Sequence, residues 1–373
     1  MKILHLVQPV EGGVARVVVD LVRAQAGAGL RPVVACPPDG GLAAAAAEAG
    51  AQVRPWHAGR DPDLRLAGEV AGVRALVRSC RPQLVHAHSA KAGLAGRIAV
   101  RGRVPTVFQP HAWSFEAVRG ATAASARRWE RFGARWADRV LCVSESERDR
   151  GRLAGIAARW SVIRNGVDLD RFRPGDRDAA RAALSLPAGV PLVVCVGRLS
   201  RQKGQDVLLD AWRRARAGGA LLALVGGGPE EDRLRAAAPD GVLFAGAADD
   251  VVPWLHASDV VVLPSRWEGM ALAPLEAMAC GRPVLVTDVA GAGESLPPGQ
   301  AAHCLVAPED PAALAGALAA LLADAGLREA LGRAAGLHAR AAFDVRATAD
   351  AVVRLYQELV PPSGTTTRER TER

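Results

Sequence analysis

A regular alternation of short β-branched apolar runs with longer amphipathic stretches begins at the first residue and is the feature that most constrains the fold. Such alternation predicts βαβ units arranged around a parallel sheet. The predicted strands of the first half are residues 2–7, 31–36, 52–55, 83–88, 106–109, 139–143 and 161–164. Helices are predicted between them, among others at residues 14–26, 64–80 and 90–101.

The same alternation restarts after Pro174 and Gly175, where strands are predicted at residues 192–196, 220–225, 242–244, 260–263 and 283–286. The segment 165–175 between the two series carries turn-forming residues at both ends, which is typical of a linker. A chain of 373 residues is long enough for two cores. We therefore predict an α/β protein with similar domains at 1–172 and 173–344, a last helix at 345–360 and a disordered tail at 361–373.

The positive charge is concentrated in the first half, although the whole chain has a net charge of +8. Residues 1–170 contain 25 Lys and Arg against 15 Asp and Glu, a balance of +10. A basic domain suits nucleic acid, an anionic membrane surface or an anionic substrate. The sequence has one tyrosine and no recognised nucleic-acid motif, so we expect no nucleic-acid partner.

The cysteines and the N-terminus narrow the class of protein further. The six cysteines have no C-x-x-C spacing, so neither a zinc site nor a disulfide framework is predicted. The apolar run after Met1 is too short for a signal peptide, and no stretch approaches the roughly 20 apolar residues of a membrane span. We expect a cytoplasmic protein.

Two glutamates, Glu268 and Glu276, have seven residues between them in the segment that follows the predicted strand 260–263. Open α/β sheets bind ligands at the carboxyl ends of their strands, which is where Glu268 would lie. Glu276 would fall inside the next helix, and the free N–H groups at the start of that helix suit a phosphate. The carboxylate of Glu276 could accept hydrogen bonds from both hydroxyls of a ribose. The structural alternative is an ordinary helix with two exposed glutamates.

Two cations, Arg198 and Lys203, follow the first strand of the second series at a strand-to-helix turn. Such a pair can hold a diphosphate from two sides, with arginine as a planar fork and lysine as a point charge. Arginine supplies 44 of the 47 basic residues, so a lysine kept at this turn is informative. A solvated surface pair is the alternative.

The first domain offers weaker signals. Gly12 and Gly13 follow the first strand and suit close approach to phosphate, but the third glycine of a dinucleotide fingerprint is missing. His86 and His88 have strand spacing and could bind a metal, yet no carboxylate or cysteine ligand accompanies them. His111, before a loop with aromatic residues, is the better site candidate, with a structural histidine as the alternative.

The order of these motifs along the chain resembles that of family 4 retaining glycosyltransferases. The motifs are the glycine pair, His111, Asn165-Gly166-Val167-Asp168, Arg198 with Lys203, the glycine run 226–228 and the Glu268 to Glu276 block. The resemblance runs from about residue 3 to residue 343. It implies two Rossmann-like domains facing across a cleft (the GT-B fold), with the last helix crossing back to the first domain. Ala112 departs from the pattern, because glycine is common after the histidine.

The resemblance also implies the roles of individual residues. Arg198 and Lys203, with Gly13, would hold the diphosphate, Glu276 the ribose, and His111 and Glu268 the donor sugar near the reacting carbon. The catalytic candidates are therefore His111, Glu268, Arg198 and Lys203. The donor-binding candidates are Gly12, Gly13, Asn165, Gly228, Glu230, Gly269, Met270, Ala271, Leu272 and Glu276.

The activity implied is metal-independent and cofactor-free transfer of a sugar, with retention, from a UDP- or GDP-sugar to a hydroxyl acceptor. The loops of the first domain most resemble family members that extend bacterial surface polysaccharides or glycolipids on lipid-linked carriers. The +10 balance would suit peripheral contact with an anionic membrane at its inner face. Alternatives are a natural-product glycosyltransferase with a soluble acceptor, a sugar-nucleotide epimerase or phosphorylase of the same fold, and a catalytically silent nucleotide-sugar binder.

Overall fold

Each half of the chain is built on one parallel sheet in the computed structural model, which describes residues 1–60, 63–215 and 218–361. Within this part of the chain the first sheet has seven strands in the order β3-β2-β1-β4-β5-β6-β7. They are β1 (Lys2–Val7), β2 (Arg31–Cys36), β3 (Gln52–Pro55), β4 (Leu84–His88), β5 (Thr106–Gln109), β6 (Arg139–Cys142) and β7 (Trp160–Val162). The central strands β1 and β4 are buried on both sides and mostly apolar, as is typical of parallel sheets, except for the histidines that they contain.

Helices connect these strands and cover the first sheet. They are α1 (Gly12–Gly27), α2 (Leu42–Glu48), α3 (Leu66–Cys80), α4 (Ser89–Val100), α5 (Gly120–Gly133) and α6 (Glu145–Leu153). Ser144 caps α6 by accepting a hydrogen bond from the N–H of Glu147, which is the usual way to satisfy a free amide at a helix start.

The second sheet has six strands among the described residues, in the order β10-β9-β8-β11-β12-β13. They are β8 (Leu192–Val196), β9 (Leu221–Val225), β10 (Val242–Gly246), β11 (Val260–Leu263), β12 (Val284–Thr287) and β13 (Leu305–Val306). The helices of this half are α7 (Arg177–Ala183), α8 (Gln205–Ala215), α9 (Glu231–Ala237), α10 (Val252–Ala257), α11 (Leu272–Ala279), α12 (Ala292–Ser295), α13 (Ala301–Cys304), α14 (Pro311–Ala323), α15 (Ala325–Ala342) and α16 (Val345–Leu359).

The fold predicted from the alternation is confirmed, since both series form parallel sheets with intervening helices. Several predicted strand bounds differ from the observed ones by one or two residues, and one observed strand was not predicted. The strand expected at 161–164 is Trp160–Val162, and β13 was missed because two residues are too few to show a period. The predicted tail lies outside the described residues except for Pro361, and the domain bounds stay predictions.

The chain passes between the two sheets twice, and the two passages are hydrogen-bonded to each other. The N–H of Val167 donates to the carbonyl of Phe343 at 2.8 Å, and the N–H of Val345 donates to the carbonyl of Val167 at 3.1 Å. Gly166 is required here, because a Cβ on it would lie 2.5 Å from the Cα of Val345. After this crossing α16 packs against α1 of the first half.

Candidate active site

The Glu268 to Glu276 block forms the loop after β11 and most of α11. Glu268 is buried in that loop, where its Oε1 accepts from Ser265 Oγ at 2.7 Å and from Lys203 Nζ at 2.6 Å. The structure therefore joins Glu268 and Lys203, which the sequence placed in separate motifs. Ala271 precedes α11 in an extended conformation, and no side chain caps this helix start, so the first N–H groups stay available to a ligand.

Arg198 and Lys203 lie in the loop after β8, which packs tightly on the loop after β11. A Cβ on Gly204 would come within 2.0 Å of the carbonyl oxygen of Pro264, and Gly204 has a φ of +68°. Arg198 faces the first half of the molecule. Partial burial and the charge of Arg60 lower the pKa of Arg198, whereas the carboxylate of Glu11 raises it.

Glu276 is nearly inaccessible to solvent, and its carboxylate pairs with the guanidinium of Arg16 from α1. Arg16 was not singled out from the sequence, although it follows the glycine pair by three residues. This ion pair spans the space between the two sheets. It shows that Glu276 faces the first half of the protein rather than solvent, which excludes the alternative of an ordinary exposed helix glutamate.

The glycine candidates lie at points of close approach. Gly12 opens α1 with a φ of +76°, and a Cβ on Gly13 would lie 3.9 Å from the side chain of Leu272 in the other half. Gly228 lies against the loop after β8, where a Cβ would come within 2.2 Å of the carbonyl oxygen of Leu199. Glu230 pairs with Arg233 at 2.6 Å.

The backbone of Gly269 and Met270 connects the two halves. Ser144 Oγ donates to the carbonyl of Gly269 at 2.9 Å, and Asn165 Nδ2 donates to the carbonyl of Met270 at 2.7 Å. A Cβ on Gly269 would lie 2.8 Å from Val143 Cγ2. The structure thus places Asn165, a predicted donor-binding residue, as an anchor of the loop that carries Glu268; its contact with a donor stays a prediction.

His111 lies in the first half of the chain, in a strained loop after β5 that faces the loop of Gly269 and Met270. His111 and Ala112 have φ angles of +56° and +117°, in the region that disfavours residues with a Cβ. Glu147 fixes this backbone by accepting from the N–H of Ala112 at 2.7 Å and from that of Val143 at 2.8 Å. Ala112 thus has a glycine-like conformation without being glycine.

Glu147 is fully buried, and burial raises its pKa to about 7 despite the two backbone hydrogen bonds that lower it. Its Oε1 would lie 2.9 Å from a Cβ on Gly269, so it also touches the loop of Glu268. Glu147 was not a candidate from the sequence, because a carboxylate at the start of a charged helix is ordinary.

His86 and His88 acquire a third partner in the structure, a histidine that lies 83 residues before His88 in the sequence. His5 on β1 lies beside them, and nitrogens of the three side chains lie within 4.8 Å of one another. Among the described residues this is the one group with metal-ligand geometry. One hydrogen bond joins members of this group, between His5 Nδ1 and His88 Nε2 at 3.0 Å, and the group contains no carboxylate. Burial lowers the pKa of all three imidazoles.

Two family models match the chain. The model described as Glycosyltransferase Family 4 matches residues 11–171, and the model described as Glycosyl transferases group 1 matches residues 190–324. Together they include the loops of both halves that carry the candidate residues. No described helix has the length and apolar character needed to cross a membrane.

Curated relatives and solved structures extend this likeness over most of the chain. The lipopolysaccharide core biosynthesis mannosyltransferase LpsB of Rhizobium meliloti is 35% identical over 64% of this chain and 72% of its own length. A D-inositol 3-phosphate glycosyltransferase of Mycobacterium avium is 33% identical over 80% of this chain and 76% of its own. The structure of Anabaena Alr3699/HepE in complex with UDP-glucose superposes with a TM-score of 0.82 at 25% identity, covering 96% of this chain and 100% of that one.

Proposed function

The chain belongs to glycosyltransferase family 4 and has the GT-B fold, and on that basis we propose that it is a retaining, metal-independent enzyme that uses a nucleoside-diphosphate sugar. Its acceptor would be a hydroxyl group in bacterial surface polysaccharide or glycolipid synthesis. The observation that carries the proposal is the meeting of Lys203, Glu268 and the Arg16–Glu276 pair with the uncapped start of α11. Cations, carboxylates and free N–H groups converge there between the two sheets.

In the proposed complex, Arg198, Lys203 and the N–H groups that open α11 neutralise the diphosphate. Departure of a nucleoside diphosphate builds negative charge, and preorganised donors lower that barrier; one such donor contributes about 2.7–4 kcal/mol. Glu276 would accept the ribose hydroxyls in place of Arg16. The backbone of Gly269, Met270 and Ala271 would contact the sugar held by Glu268.

Retention follows in this proposal from attack on the face that the diphosphate leaves, with the leaving phosphate accepting the acceptor's proton. The buried carboxylate of Glu268 already accepts hydrogen bonds from Ser265 and Lys203, so in this proposal its role is to orient Lys203 and the donor sugar. The anomeric configuration of the product, read from its proton coupling constant, tests this step. An inverted product would refute it.

A thermal-shift screen with UDP-, GDP- and ADP-sugars identifies the donor. A ligand at 100 times its dissociation constant stabilises the protein by about 2.7 kcal/mol, which is readily measured. The Anabaena neighbour was solved with UDP-glucose, so we expect UDP-glucose among the binders. A sugar-nucleotide epimerase would convert its donor without an acceptor, and product analysis without acceptor separates that activity from transfer.

For the acceptor we propose a lipid-linked carrier at the inner face of the cell membrane. The loop of His111 leads into α5, and arginines and aromatic rings meet around the C-terminal end of α5, the turn Ala134–Trp136 that follows it and the end of α4. The Arg135 guanidinium lies 3.8 Å from the ring centroid of Phe132, that of Arg101 lies 5.7 Å from Trp136, and 42% of Phe132 is exposed. Such rings suit the headgroup region, and each basic residue near an anionic surface contributes about 1 kcal/mol.

Sedimentation with anionic liposomes at low and high salt tests this contact. We expect binding at low salt that is reversed by high salt and weakened by Phe132→Ser with Arg135→Ala. Arg340→Ala, an exposed arginine of the second half, is the matched control and should leave binding unchanged. Absence of binding at low salt would favour a soluble acceptor, such as a natural-product aglycone.

A further inference from the structure

Three histidines interrupt strands that a parallel core would normally fill with apolar side chains. His5 lies on β1, and His86 and His88 lie on the neighbouring β4, where His5 is paired in register with His86. All three are inaccessible to solvent. Burying an imidazole costs free energy unless its nitrogens are hydrogen-bonded, so the pattern of these bonds is informative.

Two of the three histidines form a continuous hydrogen-bonded chain that ends at His111. Gln25 Oε1 lies 2.9 Å from His5 Nε2, His5 Nδ1 lies 3.0 Å from His88 Nε2, and His88 Nδ1 lies 3.1 Å from His111 Nε2. The chain therefore runs from α1 through β1 and β4 to the loop after β5. His86 lies outside it and bonds instead to the hydroxyl of Tyr356.

The rings of this chain are neutral at physiological pH. Burial lowers the pKa of His5 to about 4 and that of His111 to about 3, and it holds that of His88 well below the usual 6.5. A neutral imidazole carries one N–H and one acceptor nitrogen. A row of such rings can satisfy all its contacts only if every N–H points the same way.

Gln25 sets that direction, because the oxygen of a carboxamide only accepts. His5 must then donate from Nε2, His88 from Nε2 to His5, and His111 from Nε2 to His88. We propose that Gln25, His5 and His88 are positioning residues that hold His111 as its Nε2–H tautomer, leaving the Nδ1 lone pair as the acceptor for a hydroxyl of the donor sugar. Only the contact of Nδ1 with a sugar hydroxyl rests on the proposed function; the tautomer of His111 does not.

The consequence is chemical as well as geometric. An acceptor nitrogen orders a sugar hydroxyl and tolerates positive charge developing on the sugar ring, whereas an imidazolium or a misplaced N–H would oppose both. The nitrogen that stays free on a histidine is set by the bond that the other nitrogen makes. The chain thus fixes the ring of His111, while Glu147 fixes its backbone through Ala112.

Nitrogen-15 NMR of histidine-labelled protein at pH 7.5 tests the tautomers directly, with signals assigned by single substitutions. We expect His5, His88 and His111 all as neutral Nε2–H tautomers. An Nδ1–H or charged His111 in the wild type would overturn the proposal. This readout does not depend on activity, so it stands even if the transferase reaction proves to be another.

Variants connect the tautomer to turnover. In both His88→Leu and Gln25→Met we expect the single His111 tautomer to be lost and kcat to fall about tenfold with little change in donor KM, because the ring is misoriented while the diphosphate contacts stay. His88→Gln restores an acceptor and should recover part of the rate. His86→Leu, equally buried but outside the chain, is the control and should keep the His111 tautomer. An unchanged tautomer and kcat in both His88→Leu and Gln25→Met would refute the inference, and Gln25→Met decides if His88→Leu does not fold.

Discussion

Glu147 should make the stability of the first half depend on pH in an unusual direction. Its pKa is raised from 4.5 to about 7, chiefly by burial. The folded state therefore holds the proton more tightly than the unfolded state, so the stabilisation is fully present below pH 4.5 and is lost as pH rises through about 7. A shift of roughly 2.5 units at 1.36 kcal/mol each corresponds to about 3 kcal/mol.

Glu147→Gln isolates this contribution. The amide has one acceptor oxygen for two backbone donors, the N–H groups of Ala112 and Val143, so the variant loses about 1–3 kcal/mol irrespective of pH. In addition, the Glu147 carboxylate of the wild type titrates, whereas the amide of the variant does not, so only the wild type has this pH-dependent contribution to stability. The advantage of the wild type over the variant should shrink by about 3 kcal/mol between pH 4.5 and pH 8.

Urea unfolding at several pH values, followed by tryptophan fluorescence, measures this difference. The comparison between variants cancels other titrations, among them Asp20, whose pKa is raised to about 6 by burial and which acts in the same direction. Asp149→Asn removes an exposed negative charge from the same helix and is the matched control. A difference that is constant or that grows with pH would refute the reasoning.

Four further outcomes are expected. Lys203→Ala and Arg198→Ala should each lower kcat/KM at least tenfold while the circular dichroism spectrum is kept, because both would act on the developing diphosphate charge; near-normal turnover in either would remove it from the site. Activity should persist in excess EDTA, and recovery of a lost rate on adding Mg²⁺ or Mn²⁺ would show a metal requirement. Arg16→Ala should tighten donor binding, by up to about tenfold or 1.4 kcal/mol in calorimetry, because Glu276 then has no partner to exchange for the ribose; weaker binding would contradict this. Ala112→Gly should raise the free energy of unfolding by about 1 kcal/mol through relief of the positive φ, and a loss of stability would argue against strain there.

The fold was predictable because its signals are local. Strands such as Leu192–Val196 and Val260–Leu263 are continuous apolar runs between turn residues, and the structure has them at the predicted bounds. The two-residue strand Leu305–Val306 exists only through pairing with β12, which no local pattern records. Hydrophobic periodicity therefore predicts only those helices and strands that are long enough for the apolar pattern to repeat within them.

Residues of the candidate site could be found from the sequence only where they cluster along it. Glu268 and Glu276 share one loop and helix, so their spacing was visible. His5 and Arg16 join their partners through pairing across the sheet and packing between halves, at separations of 83 residues from His88 and 260 from Glu276. A single sequence carries no trace of such contacts, because each residue is ordinary in its local setting.

The ion pairs of the site explain why these residues can be kept together without a ligand. Buried carboxylates and cations are costly unless paired, and in the free protein Glu268 pairs with Lys203 and Glu276 pairs with Arg16. A donor would replace one partner in each pair, the diphosphate competing for Lys203 and the ribose for Glu276. The net gain from binding is then a difference between two sets of contacts. Donor affinity should therefore respond to Arg16, which stabilises the free state, as strongly as to the residues that touch the donor.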